Sequence, residues 1–406
     1  MSRAQIVGII LFVSLSILIG LGLYFMFFRG PVPITPSGTT PTTGTPGQFP
    51  SSGGATSTDR PIVEPGGQLP SSGTGGTING FQEAGQAPTV RQLVNTNAKN
   101  INVSASGAKF YNQKDGKFYR IDGQGNVSAL SDTVFFGVEQ VTWSPASDES
   151  IIEYPDGSNI YYDFQTKKQV TLPQHWENFS FDTGGTQIVA KSVGFDDSNR
   201  WLIAANPDGT NVEFIEPMGN NADKVMVDWS PNRQYLALSR TGEAQGISDQ
   251  KVLLIGKNGE NYKSLSIPGR GLQTQWSPTG DQLLYSVYSS RSDYKPELWI
   301  TGTAVGAIDS NRRPLSVQTW VEKCTFTNDT AVYCGVPTKL ETGSGFQPSL
   351  ANTTPDSLVR IDLKTGSREL INLDQTHTID TIFVSDDGQK LLFTDKILPG
   401  IFEVSI

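Results

Sequence analysis

The chain of 406 residues has little of what metal and redox sites require, with two histidines and two cysteines. These are too few for a zinc ribbon, an iron–sulfur centre or a multi-histidine metal site. A G-x-S-x-G nucleophile elbow is also missing from the sequence. We therefore predict no catalytic, cofactor-binding or metal-binding residue, and no cofactor.

Positive charge is scarce as well, because 31 Lys and Arg face 40 Asp and Glu, a formal net charge of −9. The phosphates of nucleic acids favour surfaces with clustered Lys and Arg. The charge balance therefore argues against a nucleic-acid partner.

One long apolar run stands near the start of the chain, at residues 6–28, and it contains no charged residue. At about 1.5 Å rise per residue, a helix of this length would cross the hydrocarbon core of a bilayer. A cleaved signal peptide is the alternative, but no A-x-A-like cleavage site follows the run. We predict an uncleaved transmembrane helix preceded by a short tail, residues 1–5.

The next segment, residues 29–87, is rich in Pro, Gly, Ser and Thr; these account for 36 of the 50 positions between 31 and 80. Such a composition offers too little apolar surface to offset the chain entropy lost on folding. We predict a disordered linker that tethers a folded head to the membrane.

Residues 88–406 have no sustained helical periodicity; short β-branched and aromatic runs alternate with Gly, Asn, Asp and Pro. A phrase of the form Trp-Ser-Pro recurs, as in VTWSP from Val141, VDWSP from Val227 and TQWSP from Thr274. Each copy begins a unit of four strands and about 40–50 residues, the size of a β-propeller blade. The pattern predicts an all-β propeller.

Blade number follows from the ends of the first strands, which are predicted near Ser104, Trp143, Phe181, Trp229, Trp276, Phe326 and Val384. Seven blades is the prediction, with six or eight as alternatives. The last unit supplies three strands, and the segment TVRQLVN from Thr89 reads as a fourth. This N-terminal strand would complete the seventh blade and close the ring.

The W-S-P-x-G-x-x-L pattern resembles the WD-like (WD40-like) repeats of TolB-type periplasmic proteins and of dipeptidyl-peptidase propeller domains. Residues 229–231 and 276–280 carry the resemblance best, and residues 181–185 and 384–388 lack the Ser-Pro. The resemblance covers most of residues 89–406 and implies the architecture. It leaves the activity open, because propellers serve many unrelated functions.

Cys324 and Cys334 flank a predicted hairpin symmetrically about Asp329, which places them opposite each other. We predict a disulfide, since directly opposed cysteines approach bonding distance, with two buried thiols as the alternative. A disulfide would place the head in an oxidising compartment, in the periplasm or at the cell surface, with the N-terminus cytoplasmic.

The repeated phrase occupies one face of a propeller with short turns, so longer insertions and both histidines should lie on the other face. Loops held by a rigid scaffold commonly bind partners. The candidate contact residues on this face are Trp176, Trp201, Arg291, Tyr294, Trp320 and Phe346. We predict a noncatalytic scaffold that binds a protein or an envelope polymer; the alternative is a propeller enzyme or a small-ligand sensor that uses the central channel.

Overall fold

The computed structural model describes residues 82–83, 88–104 and 107–406. The predicted tail, the apolar run at residues 6–28 and most of the linker lie outside these ranges. Among the described residues, no helix has the length and apolar character needed to cross a membrane.

Seven antiparallel sheets, here numbered as blades 1 to 7, form a β-propeller. Blade 1 contains Ala98–Ser104, Gly107–Asn112, Lys117–Ile121 and Val127–Ala129. Blade 2 contains Gln140–Trp143, Glu149–Glu153, Asn159–Asp163 and Gln169–Leu172. Blade 3 contains Trp176–Phe181, Ile188–Val193, Arg200–Ala205 and Glu213–Pro217. Blade 4 contains Val225–Val227, Ala237–Ser239, Asp249–Ile255 and Leu265–Ile267, with Ala244–Gln245 paired to its third strand.

The remaining three blades follow the same order along the chain. Blade 5 contains Arg270–Trp276, Gln282–Tyr288, Pro296–Gly302 and Arg313–Pro314. Blade 6 contains Cys324–Asn328, Ala331–Pro337, Asp356–Asp362 and Arg368–Ile371, and Gln82–Glu83 adds a parallel fifth strand at its edge. Blade 7 contains Ile379–Val384, Lys390–Asp395 and Ile401–Ser405. Short 3-10 helices lie between strands at Asp197–Asn199, Gly219–Lys224, Ser290–Ser292, Val321–Lys323 and Pro348–Ala351.

The predicted closure is confirmed, because Arg91–Val94 pairs with Ile401–Ser405 as the fourth strand of blade 7. First strands contact each other between blades 1 and 2, 2 and 3, 3 and 4, 6 and 7, and 7 and 1. The first strands therefore surround the central axis, and the two ends of the described propeller meet in one sheet.

The predicted disulfide is also present, between Cys324 and Cys334 of blade 6. The two residues are paired directly across the first hairpin, with their Cα atoms 4.1 Å apart. Both side chains are buried.

The hydrophobic core lies between blades rather than within them. Ile151 and Tyr161 of blade 2, for example, belong to one buried cluster with Phe179, Ile188 and Ile203 of blade 3. Each sheet buries both of its faces against its neighbours, so a single blade could not form a core of its own.

The serine of the repeated phrase organises the turn between the first two strands. In blade 4, the backbone N–H of Tyr235 donates to Ser230 Oγ at 2.9 Å, and Gln282 N donates to Ser277 Oγ in blade 5 at 3.2 Å. The residue three positions after the serine adopts a left-handed conformation, with φ of 76° at Gly280 and 62° at Arg233. Glycine suits this backbone geometry, and Arg233 is an exception that the repeat did not predict.

These turns also join each blade to the next. Arg233 forms an ion pair at 3.0 Å with Asp182 in the turn of blade 3. Asn232 Nδ2 donates to the carbonyl of Gly280 in blade 5 at 3.0 Å. Thr279 Oγ1 of blade 5 in turn donates to Asp329 Oδ1 of blade 6 at 2.8 Å. The face that carries the repeated phrase, called the turn face below, is therefore built of structural contacts.

A second structural feature is a group of buried charges at the junction of blades 6 and 7. Lys323 Nζ lies 2.9 Å from Asp356 Oδ2, and both side chains are at most 1% exposed. His377, which the sequence placed on the face opposite the repeated phrase, is buried, with Nδ1 3.0 Å from Asp395 Oδ2. Burial raises the pKa of Asp356, and the charge of Lys323 opposes this shift.

We predict that Lys323→Ala lowers the free energy of unfolding by about 3–5 kcal/mol, because it leaves the Asp356 carboxylate buried without its cation. Urea denaturation measures the loss. Lys168→Ala is the matched control, since the exposed Lys168–Asp208 pair should cost about 1 kcal/mol or less. The double variant Lys323→Met/Asp356→Leu should recover much of the loss. Equal effects of Lys323→Ala and Lys168→Ala would contradict the interpretation.

Candidate binding surface on the loop face

The face opposite the turn face carries the second-to-third strand loops and the connections between blades; we call it the loop face. Among the described residues, 15 large apolar side chains are exposed, and nine of them lie on the loop face. These nine are Val134, Phe136, Phe195, Ile247, Tyr294, Phe346, Leu350, Ile397 and Leu398. Val212, Val305 and Ile406 lie on the turn face. Clustered exposed apolar groups are typical of interaction sites.

Two of the six predicted contact residues, Tyr294 and Phe346, meet where blades 5 and 6 adjoin. The ring of Phe346 lies 6.0 Å from that of Tyr294 and 5.9 Å from that of Tyr288. Backbone hydrogen bonds join the two loops, from Gly343 N to the Asp293 carbonyl at 3.0 Å and from Gly345 N to the Tyr294 carbonyl at 2.7 Å. We call this aromatic group, Tyr288, Tyr294 and Phe346, the blade 5–6 platform.

Backbone geometry indicates that the platform is held in place rather than loosely arranged. Tyr294 has φ of 56° and Asp293 has φ of 54°, values that a bulky side chain such as tyrosine rarely adopts. Such strain persists only where surrounding contacts fix the chain. One of these contacts is the 2.9 Å hydrogen bond from Tyr294 N to the Ser289 carbonyl.

Arg291 forms its hydrogen bonds toward blade 4 rather than toward the platform. Its Nη2 donates to Asp249 Oδ1 at 2.9 Å and to the Pro268 carbonyl at 3.0 Å. Arg270 likewise donates to the carbonyl of Ile247 at 2.7 Å. These two arginines hold the blade 4 loop, which exposes Ile247, against blade 5.

A fourth predicted residue, Trp201, lines a recess of about 730 Å³ at blade 3. The recess is bordered by His175, Ser192, Val193, Gly194, Phe195, Asn199, Trp201 and Phe214. The rings of Trp201 and Phe214 are 5.6 Å apart in an edge-to-face arrangement, and Phe195 is 98% exposed. We call this the blade 3 recess.

Trp176 and Trp320 do not reach the surface. Trp176 is 5% exposed and packs in the core between blades 2 and 3, and Trp320 is 4% exposed with Lys323 Nζ 5.8 Å from its ring. They are core residues, and the contact surface leaves them out. Phe195, Phe214 and Ile247 were not predicted as contact residues, although Phe195 stands in one of the longer insertions of this face.

Three carboxylates lie close together on the loop-face side of blades 2 and 3. The pKa of Glu153 is raised to about 7, chiefly by burial, with a smaller contribution from the charges of Glu139 and Glu177. The backbone N–H of Asn178 works in the opposite direction by hydrogen bonding to the carboxylate. Among the described residues, no group of three or more His, Cys, Asp or Glu is arranged to hold a metal ion.

We predict that Glu153 makes stability fall as the pH rises from about 4.5 to about 7, because the folded state binds a proton there that the unfolded state has lost. The fall should not exceed about 3 kcal/mol. Urea midpoints at pH 4.5, 6 and 8 measure it, and Glu153→Gln should flatten the dependence. The exposed Asp132→Asn serves as control; a pH dependence unchanged by Glu153→Gln would rule out this origin.

Searches for related proteins found no family model and no curated protein that matches this chain. Solved structures do match. An oligogalacturonate lyase in complex with manganese aligns with a TM-score of 0.56 at 15% identity, covering 80% of this chain and 95% of that one. The β-propeller domain of Cps50 (Swd1) from Myceliophteria thermophila aligns with a TM-score of 0.51 at 12% identity, covering 78% and 99%. A streptogramin B lyase aligns with a TM-score of 0.50 at 11% identity, covering 78% and 97%. At these identities the likeness shows the fold alone: the described chain is a seven-bladed β-propeller.

Proposed function

We propose that this protein is a noncatalytic binding scaffold whose loop face contacts another protein or an envelope polymer. The observation that carries the proposal is the concentration of exposed apolar side chains on that face. The turn face, by contrast, uses its polar groups to join blades. Protein interfaces draw on aromatic residues held in fixed positions, as in the blade 5–6 platform.

We further propose that the propeller is extracytoplasmic and tethered by residues 6–28, with residues 29–87 as the linker. The Cys324–Cys334 disulfide supports an oxidising compartment, where such bonds form and persist. The resemblance of the Trp-Ser-Pro repeats to TolB-type periplasmic propellers supports the same location.

We predict that a photo-crosslinking residue placed at Phe136, Ile247 or Phe346 captures a partner in intact cells. The same residue at Val212 or Val305 should capture none, because these equally apolar positions lie on the turn face. Mass spectrometry and glycan analysis of the crosslinked products identify the partner. Crosslinks from both faces alike, or from neither, would count against the scaffold proposal.

The proposed membrane topology can be tested by limited proteolysis. Protease added to spheroplasts should release a fragment that starts within residues 29–87 and contains Cys324 joined to Cys334 under nonreducing conditions. A fragment released only after lysis, or one with free thiols in the native protein, would reverse the proposed orientation. An internal cytoplasmic marker protein that stays intact controls for leakage.

The carboxylates Glu139, Glu153 and Glu177 favour a second candidate function, an enzyme or a small-ligand sensor that uses the channel. A carboxyl group with a pKa near neutrality is a common feature of catalytic sites. Because solved neighbours include lyases, oligogalacturonate with Mn²⁺ is the first ligand to try. Thermal stabilisation of the protein by that mixture, lost in Glu153→Gln, would favour this second function.

A further inference from the structure

Charge is distributed unevenly over the loop face. The loop-face segments of blades 1 to 3 are residues 113–116, 130–139, 154–158, 173–175, 194–199 and 218–224. They hold seven Asp or Glu and two Lys, a net charge of −5 with His neutral. The corresponding segments of blades 4 to 7 are residues 240–248, 268–269, 289–295, 315–323, 338–355, 372–378 and 396–400. They hold five acidic and six basic residues, a net charge of +1.

Several carboxylates of the blade 1–3 segments, which we call the acidic sector, have no cation nearby. Asp132, Asp156 and Asp196 are exposed and form no ion pair with any residue that the structure describes. Arg200, whose side chain donates to the carbonyls of Gly194 and Phe195 at the recess, is already paired with Asp197 at 2.7 Å. The sector therefore presents negative charge that the propeller leaves uncompensated.

One of these carboxylates stands at the rim of the blade 3 recess, because Asp196 follows the lining residue Phe195 directly. Asp156 lies in the adjoining loop-face segment of blade 2. Its backbone carbonyl accepts a 2.6 Å hydrogen bond from the side chain of Gln174, the chain neighbour of the lining residue His175. Negative charge therefore lies at the rim of the recess and in the segment beside it.

The recess itself is suited to an apolar side chain. Phe195 is 98% and Phe214 is 64% exposed, and the indole N–H of Trp201 already donates to the Ser198 carbonyl at 3.1 Å. Three of the eight lining residues, His175, Ser192 and Asn199, have polar side chains; the exposed lining is otherwise apolar, and an inserted apolar group would cover both phenylalanine rings.

We infer that the partner is a protein that presents an apolar anchor side chain flanked by Lys or Arg to the blade 3 recess. This inference rests on the proposed scaffold function and names the partner's chemistry. The anchor supplies buried apolar area, and the flanking cations meet the carboxylates of the acidic sector, which also steer association. Anionic polymers and anionic lipid surfaces are disfavoured by the same charges.

The test uses the full-length chain and a fluorescein-labelled peptide, Gly-Lys-Lys-Gly-Trp-Gly-Lys-Lys-Gly. Fluorescence anisotropy should show that this peptide binds at least about tenfold more tightly than versions with Glu for Lys or Ala for Trp, a difference of about 1.4 kcal/mol. Its affinity should fall as NaCl is raised from 20 to 300 mM, because salt screens exposed charges.

Variants of the recess and of its rim separate the contribution of the apolar anchor to binding from that of the charged groups. Phe195→Ser and Phe214→Ser should each weaken binding about tenfold or more, as loss of an interface anchor does. Asp196→Lys should weaken binding of the Lys peptide and reduce its salt dependence, with Asp156→Asn acting in the same direction. Asparagine at position 156 retains a side-chain oxygen that can accept the hydrogen bond from the Ser158 N–H. Val305→Ser, at an exposed apolar position on the turn face, is the control and should leave peptide affinity unchanged.

Equal binding of the Lys and Glu peptides, or binding unaffected by Phe195→Ser, would overturn the inference. Such a result together with partner crosslinks from Phe136, Ile247 or Phe346 would reject the cationic anchor and retain the scaffold function. If the loop-face positions also captured no partner, both the inference and the proposed function would fall.

Discussion

Contact between neighbouring blades is the interaction on which this structure depends. A four-stranded sheet with two apolar faces has no core of its own, so every blade needs a neighbour on both sides. That requirement is met only in a closed ring, and the pairing of Arg91–Val94 with Ile401–Ser405 closes it. The repeated serine turns reinforce the ring, because their side chains and backbones reach the turn of the next blade.

The turn face and the loop face therefore have different structural roles. Polar groups on the turn face are used to join blades, so a substitution there acts on the whole ring. Loops on the opposite face are joined in pairs, as between blades 5 and 6, without carrying the closure. They are therefore the places where side chains can project from the fold without weakening it, and the exposed apolar residues lie mostly there.

The repeat predicted the blade number, the closing strand and the disulfide, because each follows from strand periodicity and pairing. It also indicated which face carries the long loops, but not which of their side chains are exposed. Trp176 and Trp320 were predicted on the loop face, yet both are buried. Trp176 begins the first strand of blade 3, in which Phe179 and Phe181 are buried as well. Whether a side chain next to a strand turns inward is decided by the facing blade, which sequence spacing does not reveal. Arg233 shows the same limit, since its left-handed backbone is accompanied by an ion pair with the preceding blade.

Glu139, Glu153 and Glu177 lie close together beside the exposed aspartates of the acidic sector. Burial raises the pKa of Glu153, and the charges of the exposed Glu139 and Glu177 add to this shift. The propeller therefore loses stability through desolvation and repulsion when Glu153 is ionised. A cation brought by a partner would offset part of the repulsion, whereas an anion would add to it. The exposed aspartates of the acidic sector carry the same sign of charge, so both groups of carboxylates favour a positively charged partner over a negatively charged one.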